Sequence, residues 1–322
     1  MWLRQQSFLR KEHAMSKLAF IFPGQGAQKA GMGKDFYENS EAARSFFDNA
    51  QKILDFDLKE MCFGEHEELN LTEYTQPCMV SVCLAIVQEL KKRGINPDIT
   101  AGLSLGEYAA VAAAGGMNEM DAIKLVRRRG ILMQSTVPAG EGAMAAVLGL
   151  DAKKIEEILE SFENVWIANY NCPGQIVITG LINEVQQAAL SLKEAGAKRV
   201  VELKVSGPFH SLLLKPAGEA LLQEMESMSF SPLQVPYVAN ATAEIVEDSK
   251  KISTFFAKGI YSSVRWQQSI ETMLENGVDT FVEIGPGKTL AGFMRKIAPK
   301  ATVYNVSSFE DATALEKCLS KA

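Results

Sequence analysis

Apolar and polar positions change rhythm several times along this chain, and each rhythm predicts an element. Leu18-Ala-Phe-Ile-Phe22 is a continuous apolar run, as expected of a strand buried on both faces. It ends in the glycine-rich Pro23-Gly-Gln-Gly-Ala-Gln28. Helical spacing follows over residues 41–54, and over residues 77–93, where Val80, Cys83, Leu84 and Val87 share a face. Ile99-Thr-Ala101 is a second short apolar run. Residues 107–114 are rich in helix formers and Gly115-Gly116 stops them. A further helix is predicted from Met120 to about Gln134. Residues 141–204 change character. The pattern there reads strand (144–148), helix capped by Asp151, strands at 165–168 and 175–178 around a turn at 171–174, helix capped by Asn183, strand (199–203). That β-α-β-β-α-β order is a ferredoxin-like unit. Beyond it a helix is predicted at 211–225, then helices at 254–261 and 266–276, a strand at 280–284, a glycine turn into another helix, a strand at 302–306 and a terminal helix. Alternation of this kind predicts a three-layer α/β domain. The expected organisation is a large α/β domain over residues 17–140 and 205–322, interrupted by a small domain over 141–204. Residues 1–16 are polar and basic and are expected to form an extension outside the fold.

The candidate chemistry starts at Gly102-Leu-Ser-Leu-Gly106. Glycines two residues either side of a serine remove Cβ atoms where a chain turns sharply from strand to helix, which pushes the hydroxyl out at the tip. The same pattern also suits a plain packed turn, and it names a nucleophile without naming a reaction. Three further residue types bear on that choice. In the helix near 120–134, with Val126 at the centre of the apolar face, Arg129 falls about 60° from that centre, Arg127 about 100° and Arg128 nearly opposite. Arg129 is therefore the arginine aimed inward, and an inward guanidinium needs a carboxylate or carbonyls as partner, internal or from a ligand. His210 follows Val205-Ser-Gly-Pro-Phe209 and is expected at a helix start, where the dipole disfavours the imidazolium. A core histidine bonded to backbone fits the same position. His66, in an acidic loop, reads as a solvated surface residue. Finally, the 23–28 loop matches neither the dinucleotide-binding nor the Walker spacing. A loop of small residues there can present a backbone N–H to an oxyanion.

Composition narrows the partners. The chain has 322 residues, 47% hydrophobic, enough for a large core. Net charge is −6 with no basic run, which argues against nucleic acid. No apolar run approaches the ~18 residues of a membrane span. Five scattered cysteines show neither paired nor metal-ligand spacing, so reduced thiols, a cytoplasmic setting and no metal site are expected. A monomer is expected from the absence of any heptad pattern.

Taken in order, Phe22-Pro-Gly-Gln-Gly26, Gly102-Leu-Ser-Leu-Gly-Glu-Tyr108, Arg129-Gly130, Asn169-Tyr-Asn-Cys-Pro-Gly-Gln175, Gly207-Pro-Phe-His210 and Glu283-Ile-Gly-Pro-Gly287 make the chain similar to the malonyl-CoA:acyl-carrier-protein transacylases. It resembles, more broadly, the acyltransferase domains of polyketide synthases. The resemblance runs from about Lys17 to the C-terminus. It implies a large α/β hydrolase-like domain with a ferredoxin-like insert. It also implies malonyl transfer from malonyl-CoA to the pantetheine thiol of acyl carrier protein, for fatty-acid synthesis. The CoA thioester and the carrier's phosphopantetheine are then substrates, with no bound cofactor. By the same resemblance Ser104 is the nucleophile and His210 the base, oriented by a backbone carbonyl. The N–H groups of Gln25 and Leu105 form the oxyanion hole, and Arg129 holds the malonyl carboxylate. Phe209, beside the histidine, goes with malonyl rather than methylmalonyl use. Two departures stand out: Leu103 occurs where many relatives have histidine, and Gly259 where many carry a glutamine whose carbonyl orients the histidine. Three alternatives share parts of this pattern: a free-standing acyltransferase serving a polyketide assembly line, a patatin-type serine hydrolase, and a degenerate module that docks carrier protein without chemistry.

Overall fold

Among the residues described by the computed structural model of this chain (17–138, 140–203, 205 and 207–320), ten strands form two sheets. The extension expected at 1–16 lies outside the described residues, as does Lys204 at the end of the expected insert. The strands are β1 (Lys17–Phe22), β2 (Ile99–Gly102), β3 (Gly142–Leu148), β4 (Val165–Cys172), β5 (Gln175–Leu181), β6 (Arg199–Glu202), β7 (Tyr237–Val238), β8 (Ile245–Val246), β9 (Val278–Ile284) and β10 (Thr302–Val306). The larger sheet runs β10-β9-β1-β2-β7-β8, parallel except for the β7–β8 hairpin at its edge.

β1 shows why this sheet is buried on both sides. Side chains alternate across a strand. Phe20 and Phe22 therefore enter one hydrophobic cluster, with the long helix Thr72–Lys92, while Ala19 and Ile21 enter another, with the helices Trp266–Glu275 and Thr289–Ile297. Complete burial of each such phenylalanine contributes about 1.5–3 kcal/mol.

The smaller sheet runs β4-β5-β3-β6, all antiparallel, which is the ferredoxin-like order. One face packs Ala143, Ala145 and Val147 under the helices Ala152–Leu159 and Ile182–Glu194. Its other face turns towards the large domain. β4 also meets the stretch before Trp266, where Tyr170 N–H donates to the Val264 carbonyl and Val264 N–H to that of Ala168.

Two helices differ from expectation. The helix expected at 77–93 runs Thr72–Lys92 and contains Pro77. Proline cannot donate to the carbonyl four residues back. That carbonyl, of Glu73, instead accepts from Arg127 Nη1 at 2.8 Å. The segment expected as one helix from Ser211 is a short 3₁₀ turn, Leu212–Leu214, followed by an α-helix at Lys215–Met225 with Pro216 in its first turn.

Candidate active site

β2 ends at Gly102 and the next helix, Gly106–Ala113, begins four residues later. Between them Ser104 adopts φ 54°, a left-handed conformation uncommon for a residue with a Cβ. Both glycines are sterically required. A Cβ on Gly102 would run into the Gly106 backbone, and one on Gly106 into the Phe22 carbonyl. His210 has φ 61°. Ser104 and His210 are thus two of the three non-glycine residues with positive φ among those described, and they meet: Ser104 Oγ lies 2.8 Å from His210 Nε2. Strain held at a side-chain contact is characteristic of functional sites.

The other imidazole nitrogen fixes the tautomer. Nδ1 lies 2.9 Å from the Gly259 carbonyl, which can only accept, so Nδ1 carries the proton and Nε2 is free to accept from the serine hydroxyl. Gly259 lies inside the helix Ile252–Tyr261 and still supplies the carbonyl. Burial, and next the charge of Arg129, push the imidazole down to about 3, so it is neutral at physiological pH. The expectation that His210 opens a helix, with the dipole keeping it neutral, is corrected here. The α-helix starts at Lys215, and burial does that work.

Helical phase separates the three arginines as expected. Arg127 pairs with Asp55 and Glu73, and Arg128 with Glu224 at the surface. Arg129 is 2% exposed and has no carboxylate partner among the described residues. Its Nη2 donates to Ser104 Oγ at 3.2 Å, its guanidinium lies 5.3 Å from the Tyr108 ring centre, and its Nε has no hydrogen-bond partner. A buried cation with unused donors beside a nucleophilic oxygen is equipped to bind an anion.

These groups face a cavity of about 570 Å³ between the two sheets. Gln25 and Phe209 line it, and Phe209 is itself 6% exposed. Leu105 is different: its side chain points into the core, so only its backbone faces the turn. Among the described residues, neither the Gln25 nor the Leu105 backbone N–H donates a hydrogen bond, so both donors are unspent.

Sequence reasoning missed several participants. Asn240 donates through Nδ2 to the Gly102 carbonyl at 2.6 Å and accepts through Oδ1 from Ser104 N–H at 2.7 Å. Glu107 is 2% exposed and accepts from Asn240 N–H at 3.0 Å. Burial raises its carboxyl to about 8. Asn169 and Asn171 line the cavity because β4 slips register after Ile167, which turns the strand over. Gln76 lines it as well, on the long helix. A glutamate inside the apolar stretch 105–114 was a signal available for Glu107; nothing local marked Asn240.

Residues 19–313 match the model of the acyl transferase domain family. Malonyl CoA-acyl carrier protein transacylase of Bacillus subtilis (strain 168) is 44% identical over 301 residues, which cover 92% of this chain and 95% of that protein. The crystal structure of the transacylase of the same name from Clostridium perfringens superposes with a TM-score of 0.90 at 42% identity, over 95% of this chain and 97% of that one. A malonyl-transacylase solved in complex with a type II polyketide synthase acyl carrier protein gives a TM-score of 0.91 at 36% identity, over 94% of this chain and 100% of that chain.

Proposed function

This chain belongs to the acyl transferase domain family, and from that premise we propose that it transfers malonyl from malonyl-CoA to the pantetheine thiol of acyl carrier protein through a malonyl-Ser104 intermediate. One observation carries the residue assignment: Ser104 Oγ stands 2.8 Å from an imidazole nitrogen that can only accept, and 3.2 Å from a buried guanidinium.

The Ser104 hydroxyl gives its proton to His210 Nε2 as Oγ attacks the thioester carbonyl. The tetrahedral oxyanion takes hydrogen bonds from the N–H groups of Gln25 and Leu105. Collapse breaks the carbon–sulfur bond, and His210 returns the proton to the departing CoA sulfur. In the second half-reaction the pantetheine thiol gives its proton to His210 and attacks the acyl-serine carbonyl, and the proton returns to Ser104 Oγ. Arg129 pairs with the malonyl carboxylate throughout. That pairing also offsets the charge that depresses His210, so the bound substrate makes its own base stronger. CoA and phosphopantetheine thioesters serve as substrates, and no step is routed through a bound cofactor or metal.

The malonyl-carrier product feeds chain elongation in fatty-acid synthesis. A second reading, supply of a polyketide assembly line, is supported by the likeness to the transacylase solved with a polyketide carrier protein. We place the protein in the cytoplasm as a monomer. No helix among the described residues is long and apolar enough to cross a membrane, which supports that placement. Two sheets, the smaller with a hydrophobic cluster of its own on one face, support the division into a large domain (17–140 and 205–322) and an insert (141–204).

Intact mass after mixing with malonyl-CoA tests the assignment. The wild type gains one malonyl group and Ser104→Ala gains none, while His210→Ala acylates about 10²–10⁴-fold more slowly. A stable malonyl adduct on Ser104→Ala would remove Ser104 from the mechanism. Fast release of free malonate without carrier protein would instead identify a hydrolase.

A further inference from the structure

The strained turn carrying Ser104 is held at both ends by one side chain. β2 pairs with β7 in parallel, with Ala101 opposite Val238. Two residues beyond that pair, Leu103 lies in the turn on one strand and Asn240 follows on the other. The carboxamide of Asn240 therefore reaches across and makes two bonds of opposite sense, donating to the Gly102 carbonyl and accepting from Ser104 N–H. The backbone of Asn240 is itself anchored. Its N–H donates to Glu107 Oε1 at 3.0 Å, and its carbonyl accepts from Arg265 N–H at 2.9 Å. Asn240 is 3% exposed and does not line the cavity, so it touches no substrate.

We propose that Asn240 is a positioning residue for the nucleophile: its carboxamide clamps the two peptide units on either side of Leu103, the second of which leads into Ser104, and this keeps Ser104 left-handed and its Oγ on His210. The inference rests on Ser104 being the nucleophile, and its test is separate from that one. The clamp also sets the direction of the next peptide N–H, that of Leu105, so it aligns the attacking oxygen and one oxyanion donor together. A carboxamide fits because one end must donate while the other accepts, over a span that a hydroxyl cannot bridge. Without it, the Gly102 carbonyl and the Ser104 N–H lose their partners, and the turn is free to relax to an ordinary backbone angle.

The test is single-turnover acylation by malonyl-CoA, read by intact mass, on Asn240→Ala and Asn240→Asp. With Asn240→Ala the acylation rate at saturating malonyl-CoA falls about 10²-fold, the scale of a misplaced reacting group, and the half-saturating concentration stays within about twofold. Asn240→Asp separates clamping from packing. A protonated aspartic acid offers one donor and one acceptor, as the carboxamide does; an aspartate offers acceptors only and confronts the Gly102 carbonyl. The groups around it are Glu107 on its N–H side, His210 and Arg129 beyond Ser104, and the backbone of Arg265. Burial raises such a carboxyl. The ratio of the Asn240→Asp rate to the wild-type rate therefore climbs at least tenfold from about pH 8 to about pH 5. His210 and Glu107, the latter with its carboxyl raised to about 8, are common to both enzymes, so any step they give the rate cancels in the ratio. A flat ratio for Asn240→Asp overturns the proposal even if Asn240→Ala fails to fold. So does an Asn240→Ala enzyme within twofold of wild type, or one that loses saturation in place of rate.

Discussion

At the scale of single residues, the guanidinium of Arg129 serves two ends at once. It is buried with no carboxylate partner among the described residues, which leaves its charge for the substrate, and it depresses the basicity of His210. Arg129→Ala should therefore split the substrates. Malonyl transfer loses a charge-assisted contact of about 1.5–3 kcal/mol. Acetyl transfer has no carboxylate contact to lose; it gives up only the Arg129–Ser104 hydrogen bond and gains a stronger base, so it is unchanged or faster. Parallel rates with malonyl-CoA and acetyl-CoA decide this, and equal loss for both would make Arg129 structural. Phe209 bears on a finer choice. With one end of the acyl group on Arg129 and the other on Ser104, the central carbon cannot shift, and a methyl branch must enter space beside the Phe209 ring. A single methyl ordinarily changes binding by about 1–3 kcal/mol, and a packed ring that relaxes poorly raises that. Phe209→Ser should admit methylmalonyl-CoA. Competition between the two thioesters, read as acyl-enzyme masses, measures the change, and an unmoved ratio shows that the ring is not the gate.

At the scale of elements, the helix Ile252–Tyr261 orients His210 through the Gly259 carbonyl. Glycine weakens a helix, by about 1 kcal/mol relative to alanine. A Cβ at position 259 would make an ordinary contact, 3.4 Å from Glu107 Oε2, and the backbone angle there is not left-handed. Gly259→Ala should thus raise stability by about 1 kcal/mol in chemical denaturation and leave acylation within about twofold. A marked loss of rate would show that the added methyl displaces Glu107 and, with it, the peptide that holds the imidazole. The helix Thr72–Lys92 makes a related point. Pro77 removes one rung from it, and a side chain from a neighbouring helix, Arg127, takes the free carbonyl, so the sequence breaker is absorbed by packing.

At the scale of the whole molecule, the site is the seam between two sheets, and burial there shifts two groups in opposite directions. The Glu107 carboxyl is raised from 4.5 to about 8, so the folded protein holds more protons than the unfolded chain between those values. Its contribution to stability is complete below about 4.5 and is lost as pH rises through about 8. His210 is lowered from 6.5 to about 3, so its contribution is complete above 6.5 and is lost as pH falls through about 3. The two slopes oppose each other between pH 4.5 and 6.5. Glu107→Gln keeps an acceptor for Asn240 and removes the titration. Its stability relative to wild type should rise steadily from pH 4.5 to 8 in urea unfolding. A constant difference would mean that the buried carboxyl titrates as an exposed one.

What this sequence determined by itself was whatever acts over a few residues. Glycines at 102 and 106 dictate a sharp turn because a Cβ at either place meets backbone a few residues away or on the next strand. Helical phase turned Arg129 inward, left Arg128 at the surface and set Arg127 between them, against the helix Thr72–Lys92. The order of apolar runs was enough for a three-layer α/β domain with a ferredoxin-like unit inside it. Everything that joins distant residues was decided by the tertiary structure. His210 lies 106 positions from Ser104, and Asn240 lies 136 away. Their meeting depends on which strands pair and in what register, a choice made by the summed burial of both sheet faces. The slip in β4 that turns Asn169 and Asn171 to the cavity is likewise a property of pairing with β5. Desolvation is the most collective quantity of all. A neutral His210 follows from the atoms of many elements excluding water, and no local spacing encodes that.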